Sequence, residues 1–110
     1  MEEGFKVVFA QGNELFSSYE HKGEVKYVVG EVAKPSLGRG PLCVFDNEKY
    51  VKRFLHTQIN ITLSNYHKVY KCKYKRSEHT EVWNGESRVN IQYLPQGTIL
   101  ADEVVLTERV

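Results

Sequence analysis

Five basic residues fall within nine positions: Lys68, Lys71, Lys73, Lys75 and Arg76, with Tyr66, Tyr70 and Tyr74 interleaved. Lysines neutralise phosphates and tyrosine rings stack on bases, so this stretch is the chain's candidate patch for an anion or a single-stranded nucleic acid. The spacing divides it, however. On a strand, Tyr70, Cys72 and Tyr74 take one face and Lys71, Lys73 and Lys75 the other, which sends the rings to a core and the lysines to solvent. A solvated lysine row also guards a sheet edge against pairing with other chains, and that is the plainer reading.

The remaining reactive residue types form no recognisable constellation. The histidines are His21, His56, His67 and His79; no two are spaced i, i+4 on the expected helix, and none neighbours a cysteine at ligand spacing. Glu78, His79 and Glu81 make a local cluster that could bind a metal or move a proton, but exposed turn residues account for it better. Ser17, Ser18, Cys43 and Ser87 are the candidate nucleophiles, and no G-x-S-x-G elbow surrounds any serine. Cys43 and Cys72 match no zinc or redox spacing; both sit in apolar or alternating runs, as buried reduced thiols do, with a single Cys43–Cys72 bridge as the alternative. Gly38-Arg39-Gly40 is too short for a phosphate cradle, although Arg39 could meet an anion. Trp83 stands beside an Asn-Gly turn, where it could anchor an interface or pack across its own hairpin.

These residues must be positioned by a chain of 110 residues with a net charge of +1, enough for one domain spanning 1–110 and too nearly neutral for a global attraction to polyanions. The start, Met1-Glu2-Glu3-Gly4, is acidic and lacks the basic and apolar regions of a signal peptide, and no apolar run reaches membrane-spanning length. A soluble cytoplasmic protein without cofactor or membrane contact is the expectation, and the sequon Asn60-Ile61-Thr62 is then coincidental.

The elements read as short strands with one helix. Phe5 to Ala10 is a strand, Gln11 to Glu14 a turn, and Leu15 to Tyr19 the return; Lys6 and Val8 share one face of the first strand. His21 to Glu24 turns again and Val25 to Val32 reads as a strand interrupted by Gly30. Ala33 to Pro41, with two prolines and two glycines, is the main loop. Leu42 to Phe45 suits a strand buried on both faces. Asp46 or Asn47 caps a helix over 47–57, whose stripe is Tyr50, Val51, Phe54 and Leu55. Gln58 to Leu63 alternates, Ser64-Asn65 turns, and His67 to Arg76 is the clearest strand. Thr80 to Trp83 and Glu86 to Tyr93 flank Asn84-Gly85 as a hairpin. After Pro95-Gln96-Gly97, Thr98 to Leu106 is the last strand, with Asp102-Glu103 disturbing its alternation. The expected fold is α+β: an antiparallel or mixed sheet of about seven short strands with the helix packed on one face.

Several blocks carry a resemblance: Phe5-Lys6-Val7-Val8, Leu15-Phe16-Ser17-Ser18, Tyr27-Val28-Val29-Gly30-Glu31, Gly40 to Asp46, Phe54, Val69-Tyr70-Lys71-Cys72, and Leu94-Pro95-Gln96-Gly97-Thr98-Ile99-Leu100-Ala101-Asp102. Together they resemble a family of small uncharacterised proteins with a Y-x-x-G-E block and a C-terminal L-P-x-G-T-x-L-A-D block. The resemblance spans most of the chain and implies a shared fold but no activity. A more distant likeness is to the ADP-ribosyltransferase fold, without the paired His, Tyr and Glu or Arg, Ser and Glu in their strand contexts. The expectation is therefore a small non-enzymatic interaction or accessory protein with a protein partner. The alternatives are a nucleic-acid module on the strand 68–76, an enzyme with an ADP-ribosyltransferase-like fold, and, as an assembly, a homodimer joined through edge strands.

Overall fold

The computed structural model describes residues 1–18, 25–57 and 66–110. Among them lie ten strands and one α-helix. In chain order these are β1 (Glu2–Gln11), β2 (Glu14–Ser17), β3 (Lys26–Tyr27), β4 (Val32–Ala33), β5 (Arg39–Gly40), β6 (Leu42–Phe45), α1 (Glu48–Thr57), β7 (His67–Arg76), β8 (Glu81–Asn84), β9 (Ser87–Asn90) and β10 (Thr98–Arg109), with a 3-10 turn at Ile91–Tyr93. All the strand pairings among them are antiparallel.

The sheet closes on itself, which corrects the expectation of a simple sheet with a helix on one face. β7 pairs with β1, from Glu2 opposite Tyr74 to Phe9 opposite His67, and with β10, from Ala101 opposite Arg76 to Arg109 opposite Tyr70. β6 then bridges the outer two, pairing Phe45 with Phe5 on β1 and running from Leu42 opposite Ala101 to Phe45 opposite Thr98 on β10. The path β1, β7, β10, β6 returns to β1 as a closed four-strand ring. Strand length makes this work: β1 and β10 have 10 and 12 residues against 4 in β6, so each keeps a second stretch for another partner. That stretch of β1 takes β2 and then β3, and that of β10 takes β4. Register shifts between Ala101 and Glu103 and between Leu106 and Glu108 bend β10 around the ring, the first of them at the disturbed alternation of Asp102-Glu103.

Two buried clusters hold the fold. Val8, Leu42, Val44, Cys72, Tyr74, Ala101, Val104 and Leu106 fill the interior together with Val25, Tyr27 and Ala33. The ring is narrow: a Cβ on Gly4 would lie 2.5 Å from the Phe45 carbonyl oxygen and 2.9 Å from the Tyr74 ring, so only glycine lets β1 and β6 approach there. Outside the ring, Val51 and Phe54 of α1 pack on Val7 and Phe45, with Phe5, Tyr50, Leu55 and Val69 around them. The helix begins where Asn47 Oδ1 accepts the Lys49 N–H at 2.8 Å, so Asn47 is the cap.

Other expectations shift by local chemistry. Val25 to Val32 is not one strand: β3 ends at Tyr27, residues 28–31 turn with Gly30 at φ 87°, and β4 starts at Val32. The expected loop over 33–41 contains β5, which joins β8 and β9 in a second, three-stranded sheet and leads through the cis Gly40–Pro41 bond into β6. In the β8–β9 hairpin Asn84 pairs with Ser87, so the turn is Gly85-Glu86, one residue later than Asn84-Gly85. Ile91–Tyr93 leaves the strand as a 3-10 turn capped by Asn90. The expected turns at 21–24 and 64–65 and the alternating run 58–63 lie outside the described residues.

Candidate functional site

β7 carries the candidate basic patch, and its position splits that patch. Tyr70, Cys72 and Tyr74 turn inward; Lys71, Lys73 and Lys75 are exposed on the other face. β7 is the central strand, paired on both sides, so the lysine row does not guard a sheet edge. Carboxylates from the two neighbouring strands stand across from it instead. Lys71 pairs with Glu108 at 3.0 Å, Glu3 lies opposite Lys73, and Glu103 lies opposite Lys75. Arg76 closes a two-pronged contact on Glu2, Nε to Oε2 at 3.0 Å and Nη2 to Oε1 at 2.8 Å. The Arg76 hydrogen bond holds the Glu2 carboxyl below its ordinary pKa, and Glu108 raises that of Lys71. The cleft on this face, about 650 Å³, is lined by Lys71 and Lys73 together with Glu3, Asp46 and Glu108. Cations and carboxylates interleave here, which offsets the field that a polyanion would feel.

Lys68 belongs elsewhere. By parity it shares the inward row of Tyr70, Cys72 and Tyr74, at the end where the barrel opens. There it lines a cleft of about 520 Å³ with Tyr70, Arg109, Leu15, Tyr27, Val28 and Val29. Lys26 and Glu14 also reach this mouth, but they neutralise each other in an ion pair of 3.0 Å. Lys68 and Arg109 have no acidic partner among the described residues. Parity alone could have separated Lys68 from the other lysines; nothing local in the sequence marks Arg109, which the bulged β10 brings opposite Tyr70.

One lysine lies inside. Lys6 is only 1% exposed; its Nζ donates to the Cys43 carbonyl at 2.6 Å and sits 5.5 Å from the Tyr27 ring centroid. The alternation that put Lys6 on the face of Val8 was the visible signal. Next to it, Cys72 is pushed up to about 11 by burial, against the opposing Lys6 charge and a Gly4 backbone hydrogen bond. A thiol so protonated is a poor nucleophile. The void lined by Lys6, Ser18 and Thr98 measures about 10 Å³, room for one water and not for a substrate. Cys43 and Cys72 are both buried and unbridged.

The remaining candidates are dispersed. His79 is exposed and meets Trp83 edge-on at 4.8 Å, and Arg88 lies 5.5 Å over the same ring, so Trp83 packs across its hairpin on Arg88 and also against His79 and, on β5, Gly40. A Cβ on Gly40 would approach that ring to 3.1 Å. Glu78 and His79 line a cleft with Lys75, Arg76 and Asp102, and Glu81 does not join them. Among the described residues no three His, Cys, Asp or Glu side chains converge as metal ligands. His67 meets Phe9 edge-on at 5.5 Å, and His56 lies in the last turn of α1; His21 lies outside the described residues. Arg39 is half-buried on β5, whereas Ser17 and Ser18 are buried and Ser87 is exposed on β9. No helix among the described residues is long and apolar enough to cross a membrane. No family model, curated protein or solved structure matches this chain.

Proposed function

We propose that this chain is a small non-enzymatic interaction or accessory domain that acts by binding a partner protein. The observation that carries the reading is an exposed aliphatic group. Val28, Val29 and Val32 leave 46%, 47% and 53% of their surface in water around one turn. That turn joins β3 and β4, the two end strands of the seven-stranded order. Aliphatic side chains gathered beside unpaired strand edges favour contact with another chain. A photo-crosslinking amino acid placed at Val29, and separately at the exposed Thr107 of the lysine face, tests it in extract of the source cells. A discrete adduct from position 29 alone is expected; equal, diffuse labelling from both positions counts against the reading. A homodimer is one form of it, read by sedimentation equilibrium.

The second reading, a nucleic-acid module on Lys68, Lys71, Lys73, Lys75 and Arg76, rests on the lysine row. Amide shifts confined to 68–76 on titration with single-stranded oligonucleotides, fading steeply as salt rises, would select it over the first.

A further inference from the structure

We propose that the open mouth of the barrel is a docking site for an acidic, aliphatic peptide segment of a partner protein, with Lys68 and Arg109 taking its carboxylates and Leu15, Val28 and Val29 its apolar side chains. The inference rests on the interaction reading and gives it a surface and a ligand chemistry.

Charge decides the occupant. The mouth holds three cations and one carboxylate, and the Lys26–Glu14 pair removes one of each, leaving Lys68 and Arg109 uncompensated among the described residues. The two come from different strands: Arg109 stands opposite Tyr70, two residues along β7 from Lys68. Arg109 offers a planar fork that matches a carboxylate, and half-buried Lys68 adds a point charge above an apolar stem. Beside them Leu15, Val28 and Val29 present aliphatic surface, so the site has separate places for a charge and for a hydrocarbon side chain.

A nucleic acid fits this mouth less well. Binding along a phosphate backbone draws on a track of cations, whereas Lys71, Lys73 and Lys75, which would extend the track, project to the other face among Glu3, Glu103 and Glu108. Base stacking needs a free ring face, and of the two tyrosines lining the cleft Tyr27 is 2% exposed and Tyr70 is half-buried. A cleft of about 520 Å³ with Leu15, Val28 and Val29 beside its charged residues instead accommodates a few side chains of an extended segment.

The test is to pan a randomised heptapeptide library against the immobilised full chain, then titrate a selected peptide into labelled protein. Selected sequences should place Asp or Glu beside Leu, Ile or Val, and the amides of Leu15, Val28, Val29, Lys68 and Arg109 should shift. The Lys68→Glu/Arg109→Glu variant should bind about tenfold more weakly or worse, since two charge-assisted contacts become repulsive. If that variant fails to fold, Lys68→Gln/Arg109→Gln gives the same comparison with the stems retained. Selected peptides without acidic residues, unchanged binding by both variants, or a library that yields no binder would overturn the site; crosslinking at Val29 decides separately whether the interaction reading survives. A thymidine decanucleotide that shifts these same amides more strongly than the peptide would also overturn it, in favour of nucleic acid.

Discussion

Cys72 shows what closure does to a single residue. Its thiol faces the interior, and burial raises its pKa from 9.0 to about 11. Between those values the folded chain keeps a proton that the unfolded chain releases. The stability this contributes is complete below pH 9 and is lost as pH rises through 11. Burial also raises the Tyr74 phenol, in the same direction. Urea midpoints should therefore fall from pH 9 to 11, and fall less steeply in Cys72→Ala when each protein is referred to its own value at pH 8. Equal slopes would mean that the thiol is not the group responsible. Gly97 gives a second, independent test. It holds φ 87°, and a Cβ there would overlap the Tyr50 ring on α1. Gly97→Ala should cost about 2 kcal/mol or more in urea unfolding, because strain and overpacking act together. Gly12→Ala, at φ 61° with open space around it, isolates the strain and should cost less.

Elements were legible where one periodicity ran uninterrupted. β7 follows a period of two from Tyr70 to Lys75 and α1 a single stripe, so both stand where the pattern placed them. Phe54 anchors that stripe, tilted 5.5 Å from Phe45 across the outer cluster. Phe54→Ala should cost about 3–5 kcal/mol by chemical unfolding, while Lys52→Ala, on the exposed side of the helix, should stay within about 0.5 kcal/mol. A loss at Phe54 of under about 1 kcal/mol would mean that the helix is not held by its stripe. Legibility failed where turn chemistry overrode β propensity. Val25 to Val32 is valine-rich, yet Gly30 at positive φ, with its N–H given to the Leu106 carbonyl at 2.9 Å, makes it a turn between two short strands. In the β8–β9 hairpin the glycine was placed in the turn but not at its position: Gly85 leads the two-residue loop rather than ending it. The chemistry of β7 was half legible for the same reason. Alternation separated lysines from tyrosines, but the carboxylates facing the lysines come from β1 and β10, at the two ends of the chain.

Closure is a property of the whole molecule and has no local signature. It arises because two long strands each spend their two ends on different partners, and pairing between residues such as Phe5 and Phe45 is invisible to a periodicity of two or 3.6. The seam between β1 and β6 is that single pairing, with Gly4 beside it giving the Phe45 carbonyl its space. The rest of the ring is held by the long β1–β7 and β7–β10 ladders and the four-pair β6–β10 ladder, so the seam should be its most readily opened joint. Gly4→Ala tests this, because the added methyl meets backbone, which cannot move aside as a flexible side chain would. A cost of about 1–3 kcal/mol is expected, unevenly distributed. In amide exchange, the amides of the Phe5–Phe45 pairing should lose more protection than Cys72 and Tyr74 at the centre of β7, because β1 and β6 can part there while the β1–β7, β7–β10 and β6–β10 ladders stay paired. Equal loss at all of these amides would show instead that the ring opens only by global unfolding, with the seam as strong as the ladders.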